Sequence, residues 1–143
     1  MNIFAKLRDG VLTASFAETQ ALAIEFASAM PPDACLALHG DLGVGKTTFV
    51  QGLARGFGID ATVTSPTFNI FTLYRGARTL VHLDAYRLES ETQIESLMLD
   101  DFLTSPFCLA VEWPEKISGW LPETTYHLTL GIVESGRHVI QMR

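Results

Sequence analysis

The chain has 143 residues, 48% of them hydrophobic and 18% charged, with a net charge of −6 and a pI near 5.1. That length carries one domain, residues 1–143, with a real core and leaves no room for two, and the composition excludes a disordered chain. The acidic balance, with its ten Lys and Arg residues scattered, argues against this chain being the main grip on a nucleic acid, which needs a clustered basic face.

In chain order, Met1 to Arg8 reads as an edge strand or a frayed end, and Val11 to Phe16 is too short to assign. Ala17 to Met30 is a predicted helix: Leu22, Phe26 and Met30 recur at i, i+4 and i+8, and Pro31-Pro32 stops it. Cys35 to His39 is a short apolar run that reads as a buried strand. Thr47 to Arg55 reads as a helix closed by Gly56 and Gly58. Phe68 to Arg75, opened by Ser65-Pro66-Thr67, and Thr79 to Asp84 have hairpin spacing around a turn at Gly76. Residues 91–103 form a predicted helix with Ile94, Leu97 and Met98 on one side. Phe107 to Glu112 is a second wholly apolar strand ending in an acid, broken by Trp113-Pro114. Tyr126 to Val133 and Arg137 to Met142 form a hairpin turning at Ser135-Gly136. Uniformly apolar strands are those covered on both faces, and hairpins bring antiparallel partners. The expected fold is α/β, a P-loop NTPase-like mixed sheet flanked by helices.

No apolar run approaches the length of a membrane span, and the N-terminus lacks the apolar core of a signal peptide. A cytoplasmic protein with no membrane role is expected. Cys35 and Cys108 lie in apolar runs without C-x-x-C or His spacing, and read as small core residues in a reducing compartment.

The stretch Gly40-Asp41-Leu42-Gly43-Val44-Gly45-Lys46-Thr47-Thr48 fits the phosphate-loop pattern G-x-x-x-x-G-K-[ST] and sits between a predicted strand and a predicted helix, the context that the pattern requires. The glycines let successive N–H groups curl toward phosphate oxygens, and the following helix adds the positive end of its dipole. Lys46 is placed to reach the β- and γ-phosphates and Thr47 to hold Mg²⁺. A nucleoside triphosphate with Mg²⁺ is the expected ligand.

Two predicted strands end in a carboxylate, Asp84 and Glu112. Each alone reads equally well as a solvated strand end or a helix cap. Beside a phosphate loop, both are favoured as ligands for the metal or the attacking water. Thr67 is a candidate switch threonine or the start of a strand after a proline turn. His82, two residues before Asp84, reads first as a hydrogen-bonded core histidine and second as a base or orienting group. Arg87 reads as an ion-pair partner of Glu89 or Glu91 before a γ-phosphate ligand. Trp113 reads as packing against the sheet before stacking on a base.

The phosphate loop, Ser65-Pro66-Thr67-Phe68, His82-Leu83-Asp84-Ala85-Tyr86-Arg87-Leu88 and Val111-Glu112-Trp113-Pro114-Glu115 occur in this order. Together they resemble the TsaE (formerly YjeE) family, small bacterial P-loop ATPases of tRNA threonylcarbamoyladenosine synthesis, over roughly residues 12–142. The resemblance implies ATP hydrolysis on a complex with the TsaD and TsaB proteins, which transfers threonylcarbamoyl to the adenosine beside the anticodon; hydrolysis resets that complex, and tRNA is met only through the partners. It also implies Thr47 as the Mg²⁺ threonine, Asp84 and Glu112 as active-site acids, Thr67 in a switch-like segment and Trp113 beside the nucleotide. Glu18 and Gly136 become candidates for adenosine-side contacts. Ala85, Met98 and Asn69 depart from residues common in that family, and none is a proposed phosphate or metal ligand. The alternatives are a small-molecule kinase, for which 143 residues leave little room for an acceptor pocket and lid, and a GTPase-type switch, whose N-K-x-D motif the sequence lacks.

Overall fold

The computed structural model describes residues 2–66 and 70–143. Seven strands form one sheet. They are β1 (Val11–Thr13), β2 (Ala34–His39), β3 (Phe71–Arg75), β4 (Thr79–Asp84), β5 (Phe107–Glu112), β6 (Tyr126–Ile132) and β7 (His138–Met142), in the spatial order β1-β7-β6-β2-β5-β4-β3. The middle strands β6, β2, β5 and β4 run parallel. The hairpin partners β3 and β7, and β1 beyond β7, are antiparallel. This is the mixed α/β sheet expected from the apolar strands and the hairpins.

Parallel strands are covered on both faces, and alternate residues here serve two separate cores. Leu36, Leu38, Leu80, Cys108 and Ala110 pack beneath helices α2 (Phe16–Ala29) and α3 (Lys46–Gly56), with Phe26, Phe49 and Leu53. Val81, Leu83, Leu109 and Val111 face the other way, onto Leu88, Ile94, Leu99 and Ile117. Burial pushes the Cys35 thiol up to about 11 and the Cys108 thiol up to about 12, as inert core positions require.

Helix α2 is started by Ser15, whose hydroxyl accepts from Glu18 N, and it ends before Pro31-Pro32. Helices α2 and α3 touch through small residues: an added Cβ on Gly52 would lie 2.6 Å from Ala23 Cβ, and one on Gly56 2.7 Å from Ala27 Cβ.

Two sequence expectations are corrected. The N-terminal segment is a helix, α1 (Ile3–Asp9), capped by Asn2 and burying Ile3 and Leu7 one turn apart; a seven-residue span gives too little periodicity to distinguish this from a strand. The helix expected over 91–103 stops early, as α4 (Glu91–Ser96). Met98 then takes a left-handed backbone (φ 55°), and a 3₁₀ turn follows over Leu99–Phe102. Met98 accordingly points out, 63% exposed, and Leu99 fills the core beside Ile94. Thr67, Phe68 and Asn69, the start of the expected strand, lie outside the described residues; the strand is described from Phe71.

Candidate nucleotide site

The carboxyl ends of the parallel strands β2, β4 and β5 meet at one edge of the sheet, where ligands of open α/β sheets gather. Strand β2 ends at His39 and the loop of residues 40–45 turns into α3. Gly40, Gly43 and Gly45 all have positive φ, at 146°, 83° and 103°. At Gly40 the requirement is steric too, since a Cβ would lie 2.5 Å from the carbonyl oxygen of Leu130. The loop is braced from the far end of the chain: His138 Nδ1 is 2.7 Å from the carbonyl oxygen of Val44. Gly45 caps α3 with no side-chain hydrogen bond, so its first-turn amides are not taken up by a capping side chain.

Lys46 is only 4% exposed. Its ammonium donates to the Gly40 carbonyl at 2.6 Å and sits 3.9 Å from the centre of the Trp113 ring. Burial pulls its pKa down, while the charges of Glu112, Asp84, Glu115 and Asp41 oppose that shift. The lysine is thus held among acids in a partly dry cleft, a setting that strengthens its attraction for a phosphate.

Asp84 and Glu112 stand directly opposite each other in the β4–β5 register. Glu112 is 5% exposed, and its Oε2 accepts from the Thr47 hydroxyl at 3.2 Å and from His82 Nε2 at 2.5 Å. Asp84 accepts from the Tyr86 amide at 3.0 Å, which pins the carboxylate at the strand end. Leu42, Gly43, Gly45, Lys46, Thr47 and Thr48 line a cleft of about 360 Å³ with Asp84, Glu112, Trp113, Ser65 and Phe16. Most of the residues that the phosphate-loop motif singled out are therefore brought together with the two strand-end acids, whereas Val44 is buried in the core and Asp41 lines a separate cleft.

The remaining candidates fall differently. Trp113, in a left-handed backbone (φ 57°), packs against the second core and lies 5.1 Å from the Tyr86 ring, and it also lines the cleft. Glu18 lies at the start of α2, but its carboxylate accepts from Ala14 N at 2.8 Å, one residue before the Ser15 cap, and is used in fixing the chain's entry into the helix. Gly136 makes the exposed β6–β7 turn (φ 82°), and from this hairpin it is His138 that reaches the loop. Arg87 is exposed and makes no ion pair with Glu89 or Glu91 among the described residues. Thr67 lies outside the described residues, although Ser65, just before it, lines the cleft.

Phe16 was missed. It sits on the first turn of α2, 70% exposed at the cleft wall. The available signal was an aromatic placed directly after the Ser15 cap, outside the apolar stripe of its helix.

Behind the loop, a second cleft of about 530 Å³ is lined by His39, Asp41, Glu115, His127 and Arg143 among others, and it shares Trp113 with the first. His39 Nε2 and His127 Nδ1 are 2.8 Å apart. Burial lowers the His39 pKa to about 4, with the charge of Arg143 and the neighbouring His127 adding to the shift.

The TsaE family model, described as threonylcarbamoyl adenosine biosynthesis protein TsaE, matches residues 13–139, which include both strand-end acids and the whole phosphate loop. The chain belongs to the TsaE family. Similar members include the tRNA threonylcarbamoyladenosine biosynthesis protein TsaE of Bacillus subtilis, 41% identical over 79% of this chain and 71% of the relative. That of Treponema pallidum is 38% identical over 72% of this chain and 76% of the relative. The crystal structure of Bacillus subtilis YdiB superposes with a TM-score of 0.77 at 34% identity, covering 93% of this chain and 82% of that one. Among the described residues, no helix is long and apolar enough to cross a membrane.

Proposed function

We propose that this chain binds ATP and, with Mg²⁺, hydrolyses it as an accessory subunit of the machinery that makes tRNA threonylcarbamoyladenosine. In this reading it works on the TsaD and TsaB proteins and meets tRNA only through them. The observation that carries the reading is the convergence of the α3 N-terminus, which no side chain caps, Lys46 and the hydrogen-bonded Thr47–Glu112 pair in one cleft, with Asp84 beside them.

The donor set fits the implied ligands. Positive-φ glycines leave the loop backbone open to phosphate oxygens, and among the described residues nothing beyond its chain neighbours lies within 4 Å of where a Cβ on Gly43 would stand. Among the described residues, no group of three or more His, Cys, Asp or Glu could cage a metal. One hydroxyl and one or two carboxylates are what Mg²⁺ uses when phosphates and waters complete its shell. Bound there, Mg²⁺ would neutralise charge building on the β- and γ-phosphate oxygens.

The protein's own part is binding and positioning. Loop amides hold the phosphates, and Lys46 exchanges the Gly40 carbonyl for a phosphate oxygen. Thr47 and Glu112 present the metal-binding oxygens, and Asp84 accepts a hydrogen bond from the attacking water. Water adds to the γ-phosphorus as the bond to the bridging oxygen breaks, releasing ADP and phosphate. No arginine lines the cleft among the described residues, so turnover of the isolated chain is slow and a partner completes the site.

The test is Mg²⁺-dependent ATP hydrolysis by the purified chain, alone and with the TsaD–TsaB pair, beside a Lys46→Ala control. Low activity that rises on adding the pair and vanishes in the control supports the proposal. Hydrolysis indifferent to the pair, or preferring GTP, would sink the accessory-ATPase assignment and return the kinase and switch alternatives.

A further inference from the structure

Strand β4 buries a histidine against the site. His82 is fully buried between its sheet neighbours Thr72 and Ala110, on the sheet face that carries Glu112. The strand is otherwise aliphatic around it, at Leu80, Val81 and Leu83. Its Nε2 is hydrogen-bonded to Glu112 Oε2, and its Nδ1 has no hydrogen-bond partner among the described residues. A core position that needed only volume would hold an aliphatic residue, because a buried ring nitrogen without a partner is unfavourable. The small side chain opposite, Ala110, leaves the imidazole room to reach along the sheet to Glu112, two residue pairs further on and on the same face.

The Glu112 oxygen that His82 holds is also the one that accepts from Thr47. A carboxylate can only accept, so both partners donate to it, and the two bonds together fix its orientation. Released from His82, the carboxylate would be free to swing toward Lys46, the cation of the same cleft, and tie up both groups.

We infer that His82 is a positioning residue that locks the Glu112 carboxylate against Thr47, so that hydroxyl and carboxylate face the metal as a preformed pair. The inference rests on the proposed function, in which these two groups serve Mg²⁺. An imidazole that orients a ligating carboxylate in this way supports metal affinity without touching metal or nucleotide.

The test compares His82→Leu, His82→Asn and His82→Gln in the full chain. The carboxamide nitrogen of Gln can take the place of imidazole Nε2, whereas that of Asn is too short to reach Glu112. The probes are adenylyl imidodiphosphate binding in EDTA, and Mn²⁺ binding to the nucleotide-loaded protein read by electron paramagnetic resonance. Leu and Asn should weaken Mn²⁺ binding about 10-fold or more, as loss of an outer-shell partner does. Nucleotide affinity in EDTA should stay at the wild-type level, and Gln should restore the metal. Wild-type Mn²⁺ affinity in the Leu and Asn variants overturns the inference and leaves the proposed function standing. If His82→Leu fails to fold, equal behaviour of Gln and Asn overturns it as well. A wild-type protein whose nucleotide-bound form takes no metal at all removes the proposed function, and the inference with it.

Discussion

Replacing Gly52 with alanine sets two magnitudes against each other. In an exposed helix the change would stabilise by about 1 kcal/mol, because alanine loses less backbone freedom on folding. Here the new methyl carbon would lie 2.6 Å from Ala23 Cβ, 2.6 Å from the Gln20 carbonyl oxygen and 2.8 Å from Gln20 Cα. Carbon atoms pack at about 3.5–4.0 Å, so α2 and α3 must part by roughly 1 Å. Two of the three obstructing atoms are backbone, and no rotamer change relieves them. Parting the helices loosens Phe26, Phe49 and Leu53, all fully buried at this contact. Overpacking of this kind costs about 1–3 kcal/mol, and the loosened core adds to that, so a net loss of about 1–2 kcal/mol is expected. Urea unfolding at neutral pH measures it, as a lower midpoint with unchanged slope. Gly56→Ala is the internal control: its methyl would meet only Ala27 Cβ closely, with the next atoms at 3.5 Å, and it should cost less. Because α3 also carries Lys46 and Thr47, Gly52→Ala should weaken nucleotide binding as well. A Gly52→Ala protein as stable as wild type, or equal losses at both glycines, would refute the reasoning.

Met98→Gly should raise stability by about 1 kcal/mol, since Met98 is exposed and holds a left-handed backbone that glycine adopts freely; a lowered melting temperature would contradict this. Replacing Asp84 or Glu112 with Ala should abolish Mg²⁺-dependent hydrolysis, and wild-type turnover in either variant would remove that acid from the site. Glu112→Ala should also lower stability by about 1–3 kcal/mol in urea unfolding, because it strands buried His82. The lowered pKa of His39 gives a pH prediction. The unfolded chain protonates this histidine near pH 6.5, whereas the folded chain resists until about 4. Its contribution is therefore complete above 6.5 and is lost as the pH falls toward 4. The shift sets an upper bound of about 3 kcal/mol. His39 lines an open cleft, and screening there reduces the expected effect to about 1 kcal/mol. Unfolding curves at pH 7 and 5 should separate less for His39→Gln than for wild type; identical separations would count against it.

The central strands and the phosphate loop were legible because their signals are local: apolar runs that leave no alternation, and glycines at fixed spacing before Lys46. The strand-end acids were legible because the apolar run stops at each of them. Helix α1 was not, since two buried positions in seven residues carry too little periodicity. Nor was the break at Met98, where an ordinary helix-forming residue occupies a backbone state that its type disfavours. Glu18 shows a different limit: the S-x-x-E spacing from Ser15 announces a helix cap, and the carboxylate is used there. His82 was legible as a buried histidine; its bond to Glu112 depends on the register of two strands separated by more than twenty residues.

Strand β2, which delivers the phosphate loop, lies between β5 and β6, both made long after it. The loop's other brace, His138, comes later still. On the ribosome the loop residues thus emerge well before the backbone that shapes them, and the nascent chain can carry its most recognisable motif without being able to use it. A nucleotide held by this loop, as proposed above, can help the chain fold only once β7 has been translated, as a late check on the sheet and not as an early template.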